Sequence, residues 1–178
     1  MIARRLLSPP VIIGVLLVAA VAVAGGFITS PLSIDTTVWS DFVASRTPAM
    51  NSFMTGASWL FDPKRAVVLA LIVAGPRPEE AYRLITEDGY SFPSGHATAV
   101  TALIVSLVLV LTMTRVGRRL RYLLWAAALT FIVFICVTRL YLGVHWVTDV
   151  IGGFGVGLGS SMILAPFMIG PNALKLFR

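Results

Sequence analysis

Two histidines, the only ones in the chain, carry most of the chemistry that this sequence can offer. His96 closes the tetrapeptide Pro93-Ser94-Gly95-His96, and His145 stands four residues before Asp149. Residues four apart share one face of a helix, so the carboxylate is expected beside the imidazole. A carboxylate that accepts the Nδ1 proton leaves Nε2 free to attack, and the second histidine can then act as an acid. This arrangement favours transfer of a phosphoryl group.

The residues around the histidines fit an anionic substrate. Arg139, six residues before His145, can present a planar guanidinium to phosphate oxygens. Ser94 and Gly95 directly precede an apolar run, where the N–H groups of a helix start favour anions and glycine permits close approach. His96 can protonate a leaving alkoxide and later activate water. Each residue alone would suit a helix cap or an interfacial side chain, but their combination favours a phosphate site.

The composition predicts a membrane protein. Of the 178 residues, 57% are hydrophobic and 12% are charged, and the mean hydropathy is +0.89. An all-α bundle of transmembrane helices, forming one domain over residues 1–178, is therefore expected. Spanning hydrocarbon takes about 20 apolar residues. Four uncharged runs approach or reach this length: Pro10–Ile28, Ala97–Thr114, Tyr122–Thr138 and Val150–Gly170.

The charge distribution predicts the orientation of these spans. Basic residues without nearby acids flank one set of span ends: Arg4, Arg5, Arg115, Arg118, Arg119, Arg121, Lys175 and Arg178. Such ends are typically cytoplasmic. All eight acidic residues lie in the complementary segments, together with both histidine motifs. The motifs are therefore expected to face the periplasm or exterior, and the net charge of +6 is explained without a nucleic-acid partner.

The region between the first two spans leaves alternatives open. Aromatic residues scattered through residues 29–65 suit either the membrane interface or a packed cap over the helices. Ala66–Ala74 is too short to cross a bilayer. Because the chain must return to the outer side before Ala97, this run is expected to form a re-entrant or interfacial helix. The first span also resembles a cleavable secretory signal, although its length favours a retained helix.

Five glycines in the last span, Gly152, Gly153, Gly155, Gly157 and Gly159, predict close helix packing. Gly153 with Gly157, and Gly155 with Gly159, form small-xxx-small pairs that let helices approach one another. The single cysteine, Cys136, excludes disulfide, zinc-cysteine and iron-sulfur frameworks. No sequence feature indicates an oligomeric state.

The motifs resemble those of the type 2 phosphatidic acid phosphatase superfamily. These membrane lipid phosphatases share a histidine phosphatase core with the vanadium-dependent haloperoxidases. The family pattern is Lys-x6-Arg-Pro, then Pro-Ser-Gly-His, then Ser-Arg-x5-His-x3-Asp. The second part is matched in full, and in the third Thr138 replaces serine while Arg139, His145 and Asp149 match. The resemblance covers residues 76–170.

The resemblance implies an activity and a role for each matched residue. His145 would form a phosphohistidine, Asp149 would orient it, and His96 would serve as general acid and then base. The phosphate would be held by Arg77, Ser94, Gly95 and Arg139. No metal or cofactor is implied. The runs Pro76-Arg77-Pro78 and Gly89-Tyr90-Ser91-Phe92 also resemble those of bacterial inner-membrane members that act on undecaprenyl pyrophosphate, phosphatidylglycerophosphate or related polyprenyl phosphates.

The first motif departs from the family pattern. Arg77-Pro78 is present, but Ala70 stands where the lysine is expected, and Lys64 is the possible substitute. Family members usually have six spans, two of which lie between the external segment and the second motif. This chain has only the short run Ala66–Ala74 there, so about 25–30 residues, one span with its turn, would be absent. Two functions therefore remain open: an active lipid phosphatase, and a non-catalytic relative that binds lipid phosphates. A transporter or channel is disfavoured, because it would call for polar residues along spans that here are predominantly apolar.

Overall fold

The computed structural model describes residues 6–28, 30–60, 75–113 and 116–168, and these ranges contain six α-helices and no strand. One 3-10 turn, Glu80–Tyr82, lies in the connection before the fourth helix. The helices are α1 Pro9–Phe27, α2 Ser33–Ala44, α3 Pro48–Leu60, α4 Gly95–Met113, α5 Arg118–Tyr141 and α6 Val147–Met168. The predicted all-α fold is confirmed.

Four of the described helices, α1, α4, α5 and α6, are long and apolar enough to cross a membrane, as predicted. Their bounds differ most for α5, which extends beyond the predicted Tyr122–Thr138 in both directions. The uncharged-run criterion stopped at Arg121 and Arg139, yet helices readily carry arginines in their terminal turns. The bundle exposes large apolar side chains on its outer surface, among them Leu103, Leu107, Leu123, Leu129, Val133, Ile151 and Leu164. This surface suits contact with lipid.

Helix α6 packs closely against α4 on one side and α1 on the other. A methyl group at Gly153 or Gly157 would lie 2.5 Å from a carbonyl oxygen of the α4 segment, Ser94 O or Thr98 O respectively. On the opposite side, a methyl group at Gly159 would lie 2.7 Å from Val18 of α1. The two glycine pairs therefore face two different neighbours, and the prediction of close packing is confirmed.

Helices α2 and α3 form a packed cap at one end of the bundle. Trp39 and Phe42 of α2 contact Trp146 and Tyr141, with ring centroids 6.0 and 6.2 Å apart. Phe53 of α3 lies 5.9 Å from Phe134 of α5. Phe134 is about 10 Å along the helix axis from the end of α5, at 1.5 Å per residue. These contacts favour the packed cap over a helix that lies only on the membrane surface.

The starts of α4 and α6 lie at the same end of the bundle. Ser94 N–H, at the start of α4, donates a 2.9 Å hydrogen bond to the carbonyl of Asp149 in the first turn of α6. The histidine motifs therefore meet at this end. The predicted re-entrant helix over Ala66–Ala74, Ala70 at the expected lysine position and the possible substitute Lys64 all lie outside the described residues.

Candidate active site

His145 lies in the turn between α5 and α6 rather than on a helix. Helix α6 begins at Val147, and Asp149 in its first turn accepts a 2.8 Å hydrogen bond from the N–H of Trp146. A carboxylate that reaches back to the residue before the helix is one half of a capping box. The expectation that His145 and Asp149 share one helix face is therefore wrong. The two side chains meet because Asp149 caps the helix that starts two residues after His145.

The turn before His145 is fixed by Arg46, which lies between α2 and α3. Gly143 has a φ of +72°, in the region that favours glycine. A methyl group there would lie 2.6 Å from Arg46 Nη2 and 3.0 Å from Tyr82 O, so space also requires glycine. Arg46 donates to the carbonyl of Tyr141 through Nε at 3.1 Å and Nη2 at 2.8 Å, and through Nη1 to the carbonyl of Tyr82. Arg46 thus pins the end of α5 against the 3-10 turn.

The imidazole of His145 is oriented by two buried side chains. Its Nδ1 lies 3.3 Å from Asp149 Oδ2, and each of the two residues is 3% exposed. The hydroxyl of Ser91 donates to the same carboxylate oxygen and lies 3.5 Å from Nδ1. A carboxylate can only accept, so this geometry favours a proton on Nδ1 and a lone pair on Nε2.

The environment of His145 favours the neutral imidazole. Burial lowers the pKa of His145 below its usual value, and the hydrogen bond to Asp149 opposes this shift. The positive charges of Arg139 and Arg77 lower the pKa of His145 further. Removal from water and nearby cations both disfavour an imidazolium. These effects favour the uncharged ring, which is the form that a nucleophile requires.

Arg77 lies at the unprotonated side of the imidazole. Its Nη1 is 3.4 Å from His145 Nε2 and donates a 2.9 Å hydrogen bond to the carbonyl of Val144. The rest of the guanidinium donates to three successive carbonyls, those of Asp88, Gly89 and Tyr90, at 3.0–3.1 Å. Gly89 has a φ of +77°, which allows the turn that brings these carbonyls together. A positive charge is thus fixed beside the candidate nucleophilic nitrogen.

Arg139 supplies a second buried guanidinium in the last turn of α5. Its side chain is fully buried, and Nη2 forms a 2.6 Å ion pair with Oε1 of Glu87. Glu87 is 22% exposed and lies in the same connection as the carbonyls that bind Arg77. Both predicted phosphate-binding arginines are therefore engaged by residues 87–90.

The Pro93–His96 motif opens α4 at the same place. Helix α4 begins at Gly95, and the hydroxyl of Ser94 lies 3.5 Å from the N–H of Ala97, in the position of an N-cap. Ser94 is fully buried and His96 is 4% exposed. The buried ring of Phe92 occupies the space that side chains at Gly25 and Gly152 would fill, which ties the motif to α1 and α6.

Sequence reasoning missed four residues that contact this site or its supporting turns: Asp35, Arg46, Glu87 and Ser91. Asp35 is fully buried and accepts hydrogen bonds from the N–H and hydroxyl of Thr148, at 2.9 and 3.1 Å. No local pattern distinguishes it from Asp41 on the same helix. Ser91 lies within Gly89-Tyr90-Ser91-Phe92, the run that resembles bacterial family members. That resemblance was the sequence signal that could have identified Ser91.

The described residues contain no group of three or more histidine, cysteine, aspartate or glutamate side chains that could hold a metal ion. Of the predicted site residues, His96, His145, Asp149, Ser94, Gly95, Arg77 and Arg139 all lie at the end of the bundle described above. Lys64 lies outside the described part of the chain.

Comparison with known proteins agrees with this architecture. The chain is similar to phosphatidylglycerophosphatase B of Bacillus subtilis (strain 168), with 36% identity over 84 residues, 46% of this chain and 40% of that protein. Human sphingosine-1-phosphate phosphatase 2 is 33% identical over 122 residues, 57% of this chain and 30% of the relative. The matched parts thus span less than half of either relative.

A solved structure extends the similarity to the whole fold. The crystal structure of a transmembrane PAP2 type phosphatidylglycerolphosphate phosphatase from Bacillus subtilis superimposes with a TM-score of 0.71 and 25% identity. The superposition covers 89% of this chain and 94% of the other. A family model described as PAP2 superfamily matches residues 13–170, which is most of the chain. This chain, a multi-pass helical membrane protein, therefore belongs to the PAP2 superfamily.

Proposed function

We propose that this protein is a lipid phosphatase that cleaves a phosphomonoester or pyrophosphate through a phosphohistidine on His145. The observation that carries the proposal is the two-sided contact of the imidazole. Asp149 Oδ2 lies 3.3 Å from Nδ1, and Arg77 Nη1 lies 3.4 Å from Nε2. The nitrogen with the lone pair thus faces a cation that can hold the phosphoryl oxygens.

In the first step, Nε2 of His145 attacks phosphorus and the bond from phosphorus to the lipid oxygen breaks. His96 donates a proton to the departing oxygen, which leaves as an alcohol or as a lipid phosphate. The guanidinium groups of Arg77 and Arg139, with the N–H groups at the start of α4, stabilise the charge that develops on the phosphoryl oxygens. Asp149 stabilises the positive charge that develops on the imidazole.

In the second step, His96 takes a proton from water, which attacks the phosphorus of the phosphohistidine. The bond between phosphorus and Nε2 breaks, and inorganic phosphate leaves. Both histidines return to their starting protonation states, which closes the cycle. No step of this proposed cycle uses a metal or cofactor. The assignment of the two histidines to acid–base and nucleophilic roles supports this metal-independent course.

The membrane setting and the relatives support a lipid phosphate as the substrate. The two relatives are named for phosphatidylglycerophosphate and sphingosine-1-phosphate, which are both phosphorylated lipids. We place the polyprenyl and glycerol-based lipid phosphates, including undecaprenyl pyrophosphate and phosphatidic acid, in the same class for this chain. The basic residues near Arg118 favour an inner-membrane protein whose active site faces the periplasm or exterior.

The decisive experiment is trapping of the covalent intermediate on purified full-length protein in detergent. Reaction with ³²P-labelled lipid phosphate, stopped by a rapid quench without acid, should leave label on the wild-type protein. The His145→Ala substitution should abolish both the label and phosphate release. His96→Ala should slow release by about 10²–10⁴-fold, the usual contribution of general acid catalysis. Binding of lipid phosphate without label or turnover would instead support the non-catalytic alternative.

A further inference from the structure

Residues 87–90 accept hydrogen bonds from both arginines that the proposed function assigns to phosphate. The three carbonyls of residues 88–90 accept from Arg77, and the carboxylate of Glu87 accepts from Arg139. The two contacts differ in kind. The carbonyls are neutral and fix the orientation of Arg77, whereas Glu87 brings a full negative charge to Arg139.

The contact between Glu87 and Arg139 has the chemistry of a phosphate contact. Arg139 Nη2 and Glu87 Oε1 are 2.6 Å apart, a short contact between a charged donor and a charged acceptor, as in charge-assisted hydrogen bonds. Guanidinium groups bind carboxylate and phosphate oxygens with the same donor geometry. A carboxylate oxygen at this distance stands where a phosphoryl oxygen would stand if Arg139 bound substrate through the same nitrogen.

The burial of the two partners shows which of them can leave. Arg139 is fully buried in the last turn of α5, whereas Glu87 is 22% exposed in the non-helical stretch that follows the 3-10 turn. Returning the Glu87 carboxylate to water restores its hydration. Moving the guanidinium would disturb the packing around a fully buried side chain, so the partly exposed carboxylate is the partner that can leave at lower cost.

We propose that Glu87 is an internal anion that competes with the substrate phosphoryl group for Arg139. This inference rests on the proposed function, because that function assigns Arg139 to phosphate. Substrate binding displaces the carboxylate, so the contact weakens substrate binding and is absent when the chemical step occurs. Glu87 therefore raises KM and the Kd of any competing oxyanion, and leaves kcat nearly unchanged.

The test measures binding and turnover separately on the purified full chain. Glu87→Gln removes the charge at almost constant shape. The Kd of orthovanadate, measured by titration calorimetry, and the KM for a lipid phosphate should each fall by about 10-fold, as expected for loss of one charged hydrogen bond. The change in kcat should stay within about 2-fold.

Two further variants separate the contact from the charge. Glu87→Asp keeps the charge but shortens the side chain by one methylene, so it should also lower both constants, by less than Glu87→Gln. Glu80→Gln makes the same chemical change at an exposed acid in the 3-10 turn and should leave both constants unchanged.

The outcomes distinguish this inference from the proposed function. Tighter orthovanadate binding by Glu87→Gln in a protein without turnover would support the competing anion and contradict the phosphatase activity. An active protein in which Glu87→Gln raises KM, lowers kcat or weakens orthovanadate binding would overturn the inference, because Glu87 would then be positioning Arg139. Absence of orthovanadate binding in every variant would overturn it too.

Discussion

The carboxylate of Asp35 on α2 caps Thr148 at the start of α6, one residue before Asp149. Asp35 Oδ1 accepts the N–H of Thr148 at 2.9 Å, and Oδ2 accepts its hydroxyl at 3.1 Å. Oδ2 also accepts the N–H of Leu32 at 2.8 Å. A fully buried acid of the cap thus fixes the first turn of the helix that carries the orienting carboxylate.

Asp35→Ala should destabilise the protein and impair the site together. The substitution leaves two N–H groups and a hydroxyl without their acceptor, at a cost of about 2–4 kcal/mol. We expect a lower apparent melting temperature in detergent and a reduced kcat. Asp41→Ala, at an exposed position of the same helix, is the matched control and should change neither. Equal effects of the two substitutions would show that Asp35 has no special role.

Asp149→Asn should give activity between that of the wild type and that of His145→Ala. The amide keeps the shape of the carboxylate but no longer stabilises a positive imidazole, and it permits the wrong tautomer. We expect slower phosphohistidine formation, measured as the rate of ³²P labelling under single-turnover conditions. Labelling at the wild-type rate would remove Asp149 from the mechanism. Trp146 N–H keeps an acceptor in this variant, so the start of α6 should persist.

His145 should titrate below pH 6.5 in the folded protein. Burial lowers the pKa of His145, although Asp149 opposes the shift. The chain has two histidines, so ring NMR signals can be assigned with one His96→Ala variant. Because the folded state disfavours the proton, stability from this group is present above pH 6.5 and is lost as the pH falls through the folded pKa. In Asp149→Asn the pKa of His145 should fall further, since Asp149 is the group that raises it.

Dialysis against a strong chelator should leave phosphate release unchanged, whereas orthovanadate should inhibit it. The proposed mechanism assigns both histidines to proton transfer and nucleophilic attack, so neither serves as a metal ligand. Vanadate can adopt the geometry of the phosphoryl transition state at His145. Loss of activity on chelation, with recovery on adding zinc or magnesium, would contradict the mechanism.

The active-site end of the bundle should face outward. In a Cys136→Ala background, a cysteine at exposed position 90 should react with an impermeant maleimide in spheroplasts, and one at exposed position 118 should react only after permeabilisation. The basic cluster near Arg118 is the physical reason, since such segments remain cytoplasmic. The reverse labelling pattern would overturn the orientation.

The sequence by itself determined the membrane class, the four spans and the residues at the centre of the proposed chemistry. A long uncharged run is expected to cross a bilayer as a helix, because a helix satisfies the hydrogen bonds of every backbone group within the segment. The glycine pairs of α6 likewise predicted close packing, since small residues let helix backbones approach one another. His145 and Asp149 were recognisable because the side-chain types and their spacing restrict the chemistry.

Only the tertiary structure decided what holds those residues and how they meet. Asp35, Arg46 and Glu87 reach the site from 52 to 113 positions away along the chain, and no local pattern marks them. His145 and Asp149 meet through a helix cap rather than on a helix face, because Gly143 turns the chain and Asp149 accepts a hydrogen bond from the N–H of Trp146. Hydrogen bonds between distant segments depend on how the helices pack, and local periodicity does not encode that packing.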